Sequence, residues 1–576
     1  MIIARVYDQL SSLTSKQFYS LAVLLLSIPF FILFRSIALQ PSQRLFDTTD
    51  YPLQVWVVSS TLENFKSGFT NGLFFGNAFF PEKSALLFSD LLLSVAVFAL
   101  PFSFLVSNPI VLLNIGLLCT FLLTIVSVLF FLRQISTSRL IQFVGAFFLL
   151  YSPFFFSQVS HAQLLSTWPV FFGLGLLQSK KWKVRNAILF SVLFFIQFIS
   201  SVYLAVLMLS VFGIHSLSRL LFEREKGKVS VQTGFQVFCC VICILPILLS
   251  YQQIQHTYSV TRDPGEYVDY ASQVSDYFFW RKDSLIAQLP VFSSYVERNH
   301  HDSGEPVSIP TITLLLLAVV GVKNHKRKQL VFFCVCLIGI GFIFSLGPRF
   351  SFNGTYMGTP LPYAVVLKVT SALDFFRATS RWSFLLYLGC ALLAVLGVER
   401  LFKNTTLHRK IVITLLMVLA YTFETFPVRS QAFVISPLDS TPILTKLCKK
   451  DPQVLLEYPV FFYNDYSRTR LEPSYSSLLM VDALTHRCKL VNGYSGVLPP
   501  DLLLLDTNLT EAVGQNDREK FFFALQRKNI TAVRLHLTIL SASDTQRLLD
   551  WLSSNNQVQL HYTDTETVIV TISSSP

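Results

Sequence analysis

Charge is what this sequence has least of. Only 14% of its 576 residues are Asp, Glu, Lys or Arg, against 52% hydrophobic, about half the usual charged share. That excludes a disordered chain and makes an ordinary soluble enzyme a poor fit. Nine cysteines in this length exclude a disulfide-rich mini-protein, and no fibrous repeat is present. Mid-span charges are nearly absent, and no internal repeat of the transporter kind shows. After residue 427 the long apolar runs stop. That tail has no Gly-x-Ser-x-Gly, no metal-binding His cluster and no phosphate loop.

What is present is grease in helix-length pieces. A spanning helix takes about 20 mostly apolar residues. Twelve stretches qualify: 19–39, 85–106, 109–132, 140–157, 162–179, 186–200, 203–221, 231–251, 309–323, 329–346, 382–402 and 410–427. The stretch 19–39 is long and lacks a small-residue cleavage site before Pro41, so it reads as a retained first helix. The organisation expected is mainly α. A multi-span membrane domain, 1–427, precedes an α/β domain, 428–576.

The formal charge of +12 does not point to nucleic acid, because the basic residues sit in short loops between apolar spans. Lys180, Lys181, Lys183 and Arg185 form one cluster; Arg224, Lys226 and Lys228 a second. Lys323, Lys326, Arg327 and Lys328 form a third; Arg400, Lys403, Arg409 and Lys410 a fourth. The positive-inside rule puts all four in the cytoplasm, with the N-terminus carrying Arg5 and Lys16. Loops 40–84, 252–308 and 347–381 and the C-terminal domain then lie outside. Loop 252–308 carries eight acids against four bases, which suits that side. An inside N-terminus and outside C-terminus require an odd number of crossings. About eleven are expected, with 85–106, interrupted by Pro101, as a re-entrant or surface segment. The expected location is the cytoplasmic (inner) membrane. Cys448 and Cys488 are the two cysteines of the exported domain; whether they pair is open.

Chemistry in such a chain is sought where polar groups interrupt the grease without a solubility reason. Five places qualify, all on the expected outer face. Asp47 and Asp50 are paired carboxylates able to hold a divalent cation or act as a base, or else they form a capped loop in which Asp50, before Pro52, starts a surface helix. Asp90 caps a helix or faces the same cavity. His161 and Gln163 sit at the outer end of a helix, where a lone His also serves as an interfacial cap. Tyr203 marks a break at Ser200-Ser201 that is a helix turn, with a hydroxyl able to line a site. Arg377 and Arg381 precede a span; arginine offers phosphate a planar fork of donors, or anchors a helix end.

The stretches Asp50-Tyr51-Pro52, Asn77-Ala78-Phe79-Phe80-Pro81, Ser89-Asp90-Leu91 and Ser160-His161-Ala162-Gln163 occur in this order. Ser200-Ser201-Val202-Tyr203, Leu361-Pro362-Tyr363, Phe376-Arg377 through Arg381, Val491-Asn492-Gly493-Tyr494-Ser495-Gly496 and Pro499-Pro500 follow. In these pieces the chain resembles bacterial integral membrane proteins of the GT-C glycosyltransferase type. The resemblance implies transfer of a sugar from a polyprenyl-phosphate carrier to a lipid or polysaccharide acceptor at the outer face, by inversion. It implies Asp50 as base, with Asp47 beside it, and Arg377 and Arg381 at the leaving phosphate. Asp90, His161, Gln163 and Tyr203 would bind acceptor or sugar. A Mg or Mn ion on Asp47 and Asp50 is the one cofactor implied, although Asp-x-x-Asp is looser than the Asp-x-Asp of better-known members. The partners expected are the lipid-linked sugar, its acceptor and membrane lipids, with no nucleic acid. A flippase for a lipid-linked saccharide, or an assembly factor that kept the fold without the chemistry, are the alternatives. In the C-terminal domain 454–458, 532–536, 558–561 and 568–571 read as strands, 514–527 and 542–553 as amphipathic helices, and 492–496 as a turn or a loop reaching the membrane site.

Overall fold

The computed structural model describes residues 14–179, 182–258, 265–293, 308–352, 355–369, 375–428, 432–434, 440–461 and 473–573. Arg5, Lys180, Lys181 and parts of the loops 252–308 and 347–381 lie outside the described residues. The chain divides into two compact units that do not follow a single cut near 427. One comprises 1–35, 117–247 and 261–430; the other 36–116, 248–260 and 431–576.

Among the described residues seven helices are long and apolar enough to cross a membrane: Ser15–Leu33, Pro109–Ile135, Arg139–Ser157, Val202–Phe222, Lys226–Thr257, Lys328–Ser345 and Thr379–Phe402. Ala162–Leu177, Val184–Phe198 and Ile312–Val322 are shorter apolar helices. This is a multi-pass membrane protein. The stretch 85–106 forms no continuous helix. It breaks into a 3-10 turn at Ala85–Phe88, a seven-residue helix at Leu93–Ala99 and a second turn at Phe102–Phe104.

In the first unit, helix Ser383–Phe402 is buried along nearly its whole length. Tails as apolar as leucine give helices in lipid little hydrophobic reason to associate, so close backbone packing must do it. Here glycines allow that approach. A Cβ on Gly397 would meet the Leu317 carbonyl at 2.1 Å, and one on Gly321 the Leu393 carbonyl at 2.0 Å. The partner helix Ile312–Val322 is fixed at its start by Glu424, whose carboxylate accepts from the Ile312 and Thr313 amides and the Thr313 hydroxyl. Helix Lys226–Tyr258, by contrast, exposes Val231, Phe238 and Ile242, the surface lipid tails would cover.

The second unit holds a five-stranded mixed sheet of β1 (Val454–Tyr458), β2 (Lys489–Leu490), β3 (Ala532–His536), β4 (Val558–Thr563) and β5 (Thr567–Ile572), in the order β2-β1-β3-β5-β4. The first three are parallel to one another; β5 runs antiparallel to β3 and to β4. All four expected strands form. Strand β2, two residues long, gave no readable period. The helix expected over 514–527 begins at Arg518, where Asp517 caps it by accepting from the Lys520 amide at 2.9 Å. Residue 514 ends a separate helix, Pro500–Gly514. Cys448 and Cys488 are joined in a disulfide, Cα atoms 5.3 Å apart.

Under this sheet lies a buried charge network. Arg534 on β3 donates to both Glu457 oxygens and to Asp482. His536 lies 2.8 Å from Glu457 and 2.9 Å from the Tyr475 hydroxyl. Glu457 and Arg534 are both fully buried. Burial alone would push the Glu457 carboxyl up, but Arg534 and His536 hold it at about 2, below its ordinary 4.5. Burial lowers His486 to about 4 from 6.5, with Asp482 pulling the other way. Both shifts act in one direction. The unfolded histidine takes a proton between pH 6.5 and 4 that the native His486 refuses, and the unfolded glutamate does so between pH 4.5 and 2. Stability therefore falls as pH drops through these two windows. Denaturant midpoints measured from pH 7.5 to 3.5 should decline, and more steeply than for His486→Phe; identical slopes would refute this.

Candidate functional site

Each unit carries its own set of the polar residues singled out above. In the second unit, Asp50 opens helix Asp50–Lys66, with Pro52 in its first turn. This is the expected helix start, but the helix is not a surface one: twelve of its residues are buried. Apolar side chains surround it, and polar ones lock its position. The Trp56 indole donates to Asn77 at 2.9 Å, and Asn77 donates to the Ala483 carbonyl at 2.8 Å. The Tyr51 hydroxyl donates to Asn114 at 3.1 Å, and Asn114 donates to the Pro41 carbonyl at 2.9 Å. Burial pushes the Tyr51 phenol well up, with Asp47 adding to it, so it remains a donor. Ser477 donates to the Thr48 carbonyl at 3.3 Å. Asp50 is thus half-buried at the positive end of an immobilised helix, which favours a carboxylate there.

Asp47 has a different task. One of its oxygens accepts from the Thr49 amide, from the Thr49 hydroxyl at 2.7 Å and from the Asp50 amide at 3.1 Å. It caps the turn that presents Asp50. That bears on the implied Mg or Mn ion. One Asp47 oxygen is turned onto the helix end, and no group of three or more His, Cys, Asp or Glu gathers to hold a metal among the described residues. Asp47 and Asp50 are the two carboxylates that would share such an ion.

The next helix, Leu93–Ala99, has Leu92 at its N-cap position, at φ 48°. The segment around Asp90 is held by its neighbours: the Tyr251 hydroxyl donates to the Ser89 carbonyl at 3.2 Å, and Ser495 donates to the Phe88 carbonyl at 2.6 Å. Ser495 belongs to the Asn492–Gly496 motif, which does more than turn. The Phe79 amide donates to the Asn492 carbonyl at 3.1 Å, and the Phe80 amide to that of Leu490 at 2.9 Å. A Cβ on Gly493 would strike the Phe79 ring at 2.5 Å. Two motifs some 400 residues apart in the chain therefore lie side by side and brace the acidic segments.

In the first unit the arginines come together around aromatic rings. Arg381 is only 7% exposed, and its guanidinium lies 4.2 Å over the Tyr203 ring. The Tyr203 hydroxyl donates to the Phe375 carbonyl at 3.1 Å, and its ring packs 4.6 Å from Phe376. Tyr363 donates to the Phe376 carbonyl at 3.2 Å, and the Ser380 amide to that of Tyr270 at 3.1 Å. Segment 375–381 is thereby stapled on three sides. Arg377 pairs with Glu266 at 3.0 Å and stands 5.2 Å over Tyr270. Arg381 is too deeply buried for an interfacial anchor, which keeps its charge in water. Arg377 is half-buried and already carries a carboxylate partner. Glu266 and Tyr270 were not foreseen; in sequence they are two polar residues in an acidic loop, with no period to mark them.

His161 precedes the short helix Ala162–Leu165, its ring 3.3 Å from the Ser160 hydroxyl, and makes no side-chain cap. The Gln163 carbonyl oxygen is buried and finds no hydrogen-bond partner among the described residues.

A family profile, the domain of unknown function DUF6311, matches residues 23–422. The chain belongs to this family. No curated protein matches the DUF6311 chain. Among solved structures, the arabinofuranosyltransferase AftD from Mycobacteria superposes with a TM-score of 0.59 at 12% identity, covering 98% of this chain and 40% of that one. The Archaeoglobus fulgidus oligosaccharyltransferase, in its apo form, gives 0.50 at 11% identity, covering 91% and 70%. The DUF6311 chain thus spans about two fifths of AftD. Both neighbours are membrane glycosyltransferases of GT-C fold, and the DUF6311 chain has that fold.

Proposed function

We propose that this DUF6311 protein is a membrane glycosyltransferase that moves a sugar from a polyprenyl-phosphate carrier to an envelope acceptor, lipid or polysaccharide, at the outer face of the cytoplasmic membrane. The observation that carries this reading is Asp50, held at the end of a buried helix by hydrogen bonds from three separate parts of its unit, on a GT-C fold. A general base must be held in place, and this one is.

The reaction is a single displacement with inversion. The acceptor hydroxyl loses its proton to Asp50 as its oxygen bonds to the anomeric carbon. The bond from that carbon to the phosphate oxygen breaks, and its electron pair leaves with the polyprenyl phosphate. That leaving group is already an anion and needs charge stabilisation more than a proton, which Arg381 and Arg377 supply. Asp47 is a positioning residue through its cap on the Asp50 turn. Tyr203, its hydroxyl committed to Phe375, acts by stacking on Arg381. Asp90, His161 and Gln163 bind sugar or acceptor. The test is transfer of label from polyprenyl-phosphate sugars to envelope lipids by protein in nanodiscs. If wild type and Asp50→Asn are equally inert across a broad panel, this reading falls. If liposomes show the wild type moving lipid-linked saccharide across the bilayer instead, the flippase reading replaces it.

The orientation belongs to the same proposal. The basic clusters support it, and so does the Cys448–Cys488 disulfide, a bond at home in oxidising compartments. In a background lacking the free cysteines, Gln288→Cys should react with an impermeant thiol reagent applied from outside, and Lys323→Cys should not. Both positions are exposed. The reverse pattern would invert the topology and remove Asp50 from the outer face.

A further inference from the structure

The first unit contains a cavity that the proposed chemistry does not use. It measures about 490 Å³, within the size range of sites for small ligands. Its walls come from helix ends: Gln178 and Trp182, Arg219 and Glu223, Gln232 and Gln236, and Lys326 to Leu330. Helix Val202–Phe222 fixes where it lies. Tyr203 stands at one end of that helix with Arg381, and Arg219 stands at the other. Sixteen residues at 1.5 Å each separate them by about 24 Å, so this cavity occupies the opposite end of the unit from the arginine cluster.

Its charges are sorted. Arg219 grips both oxygens of Glu223, at 2.7 and 3.0 Å, and donates to Gln232 at 2.9 Å. Arg327 is spent on the Ile135 carbonyl and on Glu399 at 3.1 Å. Those pairs are self-neutralising walls. Lys326 and Lys328, both exposed, have no ion pair among the described residues, and they supply the surplus positive charge at the cavity. A second feature is independent of charge. The half-buried Trp182 gives the cavity an aromatic wall. Gln236, 4% exposed, adds an amide to the same wall.

We infer that this cavity binds a phosphoester headgroup, its anionic oxygens between Lys326 and Lys328, and its polar remainder against Trp182, Gln178 and Gln236. Two sources share this chemistry: an anionic phospholipid entering from the bilayer, and a soluble phosphate ester. By the basic-cluster reading it is a cytoplasmic-side site, distinct from any outer-face donor site, and it does not depend on the chain being a transferase.

Trp182 is a reporter already in place. Full-length protein in phosphatidylcholine nanodiscs would be titrated with glycerol 3-phosphate, and separately prepared with rising fractions of phosphatidylglycerol. The Trp182 signal is the wild-type emission less that of Trp182→Phe. A saturable change is expected with at least one probe, weakened tenfold or more in Lys326→Glu/Lys328→Glu, the size of one lost charge-assisted contact. Saturation by glycerol 3-phosphate identifies a soluble ester; saturation by phosphatidylglycerol alone identifies a lipid headgroup. Native mass spectrometry of retained lipid gives a second reading that needs no variant. Because both lysines are exposed, the double variant should keep the wild-type melting temperature, and Lys326→Gln/Lys328→Gln serves if it does not. No saturation with either probe, or equal binding by the charge-reversed protein, overturns the assignment.

Discussion

Asp50→Asn should abolish sugar transfer while leaving the protein folded and membrane-inserted. General-base catalysis contributes roughly 10²–10⁴ in rate, and the amide keeps the shape of the carboxylate while losing its basicity. The helix it opens does not depend on its charge. Asp47 accepts the amide hydrogen bonds of the first turn, and Trp56, Tyr51 and Asn77 hold the body. Thermal unfolding of Asp50→Asn should therefore match the wild type. Asp47→Asn is the informative control. It weakens the cap on Thr49 and Asp50, which costs about 0.5–2 kcal/mol of local stability, and lets the base wander. Its kcat should fall by less than that of Asp50→Asn, with the pH profile of the wild type retained, because the titrating group is still Asp50. If Asp47→Asn is the more severe variant, the base has been assigned to the wrong carboxylate. If both complement a deletion strain in full, the chain is an assembly factor that uses the fold alone.

The parts of this architecture that were readable in the sequence are its apolar stretches. Long ones marked the helices, and short ones in the polar tail marked Val454–Tyr458 and Ala532–His536. Order of motifs carried the fold. What stayed hidden has physical reasons. Helix Asp50–Lys66 reads as an ordinary loop helix because its burial comes from residues around 480, over 400 positions away. The division of the chain into units is set by such contacts, so the segment 36–116 joins the C-terminal sheet although it precedes most of the spans. Spacing offered a helix start at Asp50, but the hydrogen bonds to that turn come from Asp47, three residues earlier, and only coordinates tell a cap from a ligand. Glu266 and Tyr270 complete the arginine cluster from a loop where nothing in composition distinguishes them from solvent-facing acids and aromatics.

Replacing Arg381 with Lys should cost more than replacing Arg377 with Lys. Arg381 is buried and stacked at 4.2 Å on Tyr203, an arrangement that needs a flat, delocalised cation. Lysine keeps the charge but loses the planar fork and the stacking surface, and its compact ammonium is harder to strip of water. Loss of a charge-assisted hydrogen bond to phosphate removes about 1.5–3 kcal/mol, a ten- to hundredfold drop in turnover. Arg377 is paired with Glu266, with about 30% of each side chain still exposed, and a lysine there can keep the ion pair as a point charge. A partial exposure of this size limits the pair to a modest contribution, so Arg377→Lys should stay within a few-fold of wild type. Glu266→Gln then separates two roles for Arg377. If the carboxylate merely parks the guanidinium, its removal frees Arg377 for the donor and tightens KM. If Glu266 aims Arg377 at the phosphate, its removal lowers kcat and leaves KM unchanged. The decisive comparison is kcat and KM for Arg381→Lys, Arg377→Lys and Glu266→Gln at matched expression, with Tyr203→Phe as a stacking-competent control. Full activity in Arg381→Lys would remove the phosphate role from the arginine cluster and reduce it to the packing of segment 375–381.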